Sequence, residues 1–172
     1  LGFNVEIQQA PMRRLRGEWV LDVGPKCFQR TVLWKLVVSA APLTGEHVRF
    51  MRLAVEKTME ALASRLGVSA AAVSKWEDKQ GEPTQMNKGT EVLLRLFVAE
   101  TLLAQSNLPE TNRNSIFHRV YLKASRFSRQ VEPQSICVTR DELRRAEGSV
   151  ANVPFDFGGN LLIHGLKEGL EP

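Results

Sequence analysis

Along this chain the period of apolar and polar positions switches between two and about three and a half, and the switches outline its elements. Phe3-Asn4-Val5-Glu6-Ile7-Gln8 alternates strictly, which predicts a half-buried strand. A second alternating run over Glu18 to Val23 puts Trp19, Leu21 and Val23 on one face, and the two runs are expected to pair as a small hairpin or meander. Between them Pro11 and Gly17 punctuate a basic stretch, Arg13, Arg14 and Arg16. It reads as a loop, either solvated or serving as an arm for phosphates or an acidic partner. From about Lys26 to Ala40 the period becomes helical, with Phe28, Val32 and Leu36 four apart beside Leu33 and Val37. Pro42 stops this helix and Thr44 caps the next, which turns Val48, Met51 and Val55 inward. His47, in the first turn, reads as a surface residue.

The centre of the pattern is MEALASRLGVSAAAVSKWE, residues 59–77. Thr58 can cap a helix carrying Leu62 and Leu66 on one face. Gly67 follows the last periodic residue, where a left-handed helix terminus disfavours any side chain. Ser69 can cap a second helix over Ala70 to about Asp78, with Val73 and Trp76 inward and Ala70, Ala71, Ser74 and Lys75 outward. Two short helices crossing in this order, the second presented outward, are how a helix-turn-helix reads DNA.

These residues carry a resemblance. The stretch from Leu43 to Thr84 resembles the XRE, or lambda-repressor-like, helix-turn-helix family, and more narrowly the DNA-binding domain of MqsA-type antitoxins. The match runs through Leu43, Thr44, Gly45, Phe50, Arg52, Leu62, Ala63, Leu66, Gly67, Val68, Ser69, Val73, Ser74, Trp76 and Glu77. The resemblance implies a DNA-binding regulator, most simply a repressor, with Thr58, Ser69, Ala70, Ala71, Ser74, Lys75 and Lys79 as its DNA-binding positions. It also implies an alternative, an antitoxin-like module that binds a partner toxin and autoregulates its operon. The family often has glutamine where Met59 stands and polar base-reading residues where Ala70 and Ala71 stand, so hydrogen-bonded readout falls to Ser74 and Lys75. The paired Cys-x-x-Cys motifs of those antitoxins' zinc module have no counterpart here, because Cys27 and Cys137 stand alone. No metal is expected.

Further on, the helical stretch Glu91 to Ala104 carries more leucines than one face of its own domain requires; either the helix is buried against the N-terminal module, or its second face pairs with another subunit, with Leu96 and Leu103 as candidates for the interface of a homodimer. Residues 105–114 turn polar and read as a linker. Ser115 to Ser128 interleaves Phe117, Tyr121 and Phe127 with His118, Arg119, Lys123 and Arg126, and its spacing suits a helix or a strand. Ser135 to Thr139 reads as a short strand, and Thr139-Arg140-Asp141-Glu142 as a capping box opening a helix to about Ala146. The glycine-rich remainder is expected to wrap irregularly over the core. The fold class that results is mainly α: a lambda-repressor-like domain over 43–104, a small N-terminal β element with a helix over 1–42, and an irregular α/β extension over 115–172.

Composition narrows the function classes. With 43% hydrophobic and 24% charged residues and no apolar run of membrane-spanning length, a cytoplasmic protein is expected. The start LGFNVEIQQ lacks a signal-peptide layout, and the absence of an opening methionine leads us to expect residues ahead of Leu1. The net charge of +4 is uneven, about +3 over residues 1–43, zero over 44–104, +4 over 105–130 and −3 over 131–172. Phosphate attraction would therefore depend on Lys75, Lys79 and Lys88 locally and on flanks such as Arg13, Arg14 and Arg16. His118 and His164 have no nucleophile pattern beside them, and Gly158-Gly159 is followed by no Lys-Ser/Thr pair, so neither a catalytic site nor a cofactor is expected.

Overall fold

Residues 1–106, 108–128, 130–131 and 135–148 are described by a computed structural model of the chain. The glycine-rich tail lies outside them. The described residues are mainly helical, with seven helices and a small β element at the N-terminus. Around α1 (Pro25–Val38) pack α5 (Lys88–Ala104), α6 (Glu110–Ala124) and α7 (Arg140–Gly148). Against this group lie α2 (Gly45–Ala54), α3 (Met59–Leu66) and α4 (Ala70–Glu77). The core is continuous, from Val32, Leu36 and Val37 on α1 through Val48 and Met51 on α2 to Leu62, Val73 and Leu94. No helix among the described residues is long and apolar enough to cross a membrane.

The β strands pair differently from the expectation. β1 (Val5–Gln8) pairs in parallel with β4 (Ile136–Thr139), Val5 opposite Ile136. The hairpin is instead β2 (Met12–Leu15) with β3 (Glu18–Leu21), Met12 opposite Leu21. Arg13 and Arg14 therefore sit in a strand and Arg16 in the turn, rather than in a loop between two longer strands. The reason is length. Asp22 closes the base of the short hairpin by donating its N–H to Pro11 at 2.7 Å, which leaves Val5 and Ile7 to pair where Ile136 and Val138 already offer a buried face.

Other differences follow from local chemistry. Helix α6 begins at Glu110 behind Pro109, inside the stretch expected as a linker; the fixed φ of proline suits a helix entry, and the polar Thr111 and Asn114 remain exposed on its first turns. Through Ser115 to Ala124 the backbone is helical, burying Ile116, Val120 and Ala124 at four-residue spacing. The capping box before α7 forms as read: Thr139 N–H donates to Glu142 Oε2 at 2.9 Å and Glu142 N–H to Thr139 Oγ1 at 3.3 Å.

His47 is buried, contrary to the surface reading. It forms the second half of a capping box on α2, accepting the Thr44 N–H on Nδ1 at 3.2 Å while its own N–H reaches Thr44 Oγ1, and Phe3 meets its ring edge-on at 4.7 Å. Burial first, and the Arg95 charge second, pull its pKa down to about 4 from the usual 6.5. Folded His47 is thus neutral where the unfolded chain would bind a proton, so stability rises with pH. Its contribution is complete above about pH 6.5 and is lost as pH falls towards 4, by about 3 kcal/mol for a shift of this size. Urea midpoints at several pH values should show a steeper acid loss for the unmodified chain than for His47→Gln. Parallel curves would remove His47 as the cause.

Candidate nucleic-acid interface

Helices α3 and α4 are joined by four local decisions. Thr58 caps α3 by accepting the Ala61 N–H at 3.1 Å. Gly67 ends α3 in the left-handed region at φ 67°, where its lack of a side chain avoids strain. Val68 N–H returns to Ala63 O, and Ser69 caps α4 by accepting the Ala72 N–H at 3.2 Å. Leu62, Ala63, Leu66 and Val73 are buried between the pair, while Ala71 and Lys75 stand exposed.

Two of the outward assignments shift. Ala70 is half-buried and packs against the core, and Ser74 is half-buried, so the open face of α4 narrows to Ala71 and Lys75 with Ser74 at its edge. Trp76 is also only half-buried, lying against the core instead of filling it. Beyond α4, a groove of about 580 Å³ is lined by Lys75, Asp78, Lys79, Gln80 and Glu82. Lys79 lies 4.0 Å from Glu82, so this rim balances two cations against two carboxylates.

Helix α4 is seated by groups that periodicity did not single out. Glu77 at its last turn is buried and holds Arg52 of α2 with two hydrogen bonds, Nε to Oε1 at 2.6 Å and Nη2 to Oε2 at 2.8 Å. Arg52 Nη1 also donates to Lys57 O, tying the loop before α3 to the same pair. The hydrogen bond to Glu77 is the main influence raising the Arg52 pKa above its ordinary value. At the other end of α2, Gly45 lies so close to α4 that a Cβ would stand 2.5 Å from Trp76 O and 2.6 Å from Gln80 N. Only glycine permits that approach. The chain leaving α4 is then sewn onto the start of α2, through Gly45 N–H to Glu82 O, Glu46 N–H to Gln80 O and Thr84 N–H to Leu43 O.

The chain matches no family model, no curated protein and no solved structure.

The remaining expected positions lie on other elements. Lys88 opens α5, with its ammonium 5.5 Å from the centre of the Phe127 ring. Arg13, Arg14 and Arg16 belong to the exposed β2–β3 hairpin. On α5, Leu103 is buried in the core of its own chain and so cannot serve as an intersubunit contact, and Leu96 is half-buried. The exposed leucine of that helix is Leu93, at 53%. Among the described residues no group of three or more His, Cys, Asp or Glu side chains is placed to hold a metal ion.

Proposed function

We propose that the chain is a sequence-specific DNA-binding regulator of transcription, a repressor, in which α3 and α4 form a lambda-repressor-like helix-turn-helix and α4 enters the major groove. The observation that carries this reading is that α4 exposes Ala71 and Lys75 on one side while Glu77, at its end, is fixed from within by Arg52. Thr58 and Ser69 mark the two helix N-termini, whose remaining N–H groups suit phosphate oxygens. Ala71 offers its methyl group to thymine, Lys75 reaches guanine O6 or N7 with Ser74 at its side, and Lys79 meets the backbone.

Lys75→Ala is expected to cost about 1 to 3 kcal/mol on the preferred site and to relax preference at one base pair. Binding measured on that site and on random duplex decides between roles, since an equal loss on both makes Lys75 a phosphate contact and contradicts base readout.

So few polar groups on one helix fall short of the usual specific affinity, and two copies reading half-sites about 10 bp apart, or a multiple, would supply the rest. With Leu103 buried, Leu93 and the edge of Leu96 are the part of α5 that can meet a second copy. Leu93→Glu should then sediment as a folded monomer with weaker operator binding. A Leu93→Glu dimer of unchanged stability would exclude that face.

A further inference from the structure

We propose that the β2–β3 hairpin is a second nucleic-acid-binding element, a two-stranded ribbon that enters a groove of the duplex held by α4. The inference rests on the reading of the chain as a DNA-binding regulator and adds a partner for a surface which that reading does not use. Four of the nine large apolar side chains exposed among the described residues lie in this one hairpin: Met12, Leu15, Leu21 and Trp19, the last at 68%. Neither strand contains a buried residue. An isolated hairpin of this kind is marginal in water, so it is suited to gaining order from what it binds.

The register says what shape of partner fits. Residues opposite one another share a face, so Met12, Leu21, Arg14 and Trp19 form one side and Arg13, Val20, Leu15 and Glu18 the other. Each face therefore carries an arginine among apolar side chains, and both faces are open. A third arginine stands at the tip: Arg16 and Gly17, at φ 51° and 91°, make a two-residue turn with positive φ at both positions. Asparagine or glycine is the favoured first residue there, so an arginine in this conformation places charge at the tip against backbone preference. Asp22 pairs with Arg13 at 3.2 Å, while Arg14, whose Nε donates to Gly17 O at 3.5 Å, and Arg16 make no ion pair among the described residues.

A ribbon laid in a groove turns one face to the base edges and brings its two long edges beside the phosphate walls. The major groove, about 12 Å wide, admits a two-stranded ribbon, has phosphates along both walls to receive Arg13 and Arg14, and exposes thymine methyls to apolar side chains. Charge points the same way, because the 44–104 segment has no net charge and phosphate attraction must come from elsewhere.

The test uses the full chain and duplexes about two turns long, one selected from a random pool and one of random sequence. Arg14→Gln with Arg16→Gln alters only exposed side chains, and Lys75→Ala serves as the separate arm for α4. The double variant should bind about tenfold or more weakly, with the slope of log affinity against log salt reduced by about 1.8. Acrylamide quenching of the unmodified chain should show more protection by duplex than that of Trp19→Phe, since Trp34 is buried and the half-buried Trp76 contributes alike to both. Unchanged affinity and slope in the double variant, while Lys75→Ala weakens binding, would overturn the hairpin's role and leave the α4 reading standing. Failure of the unmodified chain to bind either duplex would overturn both. Protection of Trp19 by polyglutamate but not by duplex would overturn this proposal in favour of an acidic protein partner.

Discussion

Arg95→Met is expected to remove at least about 4 kcal/mol of stability, a large share of the 5 to 15 typical of a domain. The side chain is fully buried at 0% exposure. Its Nη1 donates to the carbonyls of Leu36, Val37 and Ser39, and its Nη2 to Ala41 O at 2.6 Å and Glu91 Oε1 at 2.7 Å. One guanidinium thus closes the C-terminal end of α1, holds the turn into α2 and neutralises a carboxylate that also accepts the Leu43 N–H. Phe127 covers its plane at 4.7 Å. Methionine fills much of the volume but leaves buried carbonyls unsatisfied and Glu91 a lone buried charge. Arg95→Lys should fail almost as badly, because one ammonium cannot span acceptors arranged for a planar fork. Removing the stranded charge as well, in Arg95→Met with Glu91→Leu, should recover part of the loss. Denaturant titration checks all three, and a midpoint for Arg95→Met near that of the unmodified chain would refute this account of the core.

Glu77→Ala is the second large effect, about 3 to 5 kcal/mol, since it strands the Arg52 guanidinium in a site built for a carboxylate. It differs from Arg95→Met in its functional consequence. The Arg52–Glu77 pair fixes where the end of α4 sits on α2, so duplex binding should fall by more than the loss of folded protein explains. Arg52→Met with Glu77→Leu separates the two effects. That double variant should regain most of the stability, as apolar replacements of buried pairs commonly do, while the seat of α4 loses its directional bonds. Stability and duplex affinity recovering together would show that the pair does no more than fill space.

What the sequence made legible was local. Thr58, Gly67, Ser69 and the Thr139–Glu142 box each act within a few residues, so their chemistry is written in short windows, and the structure uses all four as read. The pairing of β1 could not be read in this way, because its partner lies some 130 residues away and the nearer alternating run was the obvious candidate. Buried charge was hidden by the rule that charged residues face solvent. A signal was nonetheless present at Arg95, which shares one helix face with Glu91 and with the apolar Leu94, Val98 and Leu102, so the ion pair sits within the stripe that turns to the core. Arg52 and Glu77 carried no such local sign; 25 residues separate them and only the crossing of α2 and α4 brings them together. His47 was readable in part, standing three residues after the capping Thr44, where a side chain able to accept a hydrogen bond completes the box.

Base reading by α4 is tested by selecting bound duplexes from a random pool with the purified chain. Enrichment of one motif is expected, arranged as two related half-sites, with Lys75→Ala relaxing a defined position within each half. Retention of all sequences alike, or of none, would contradict that reading.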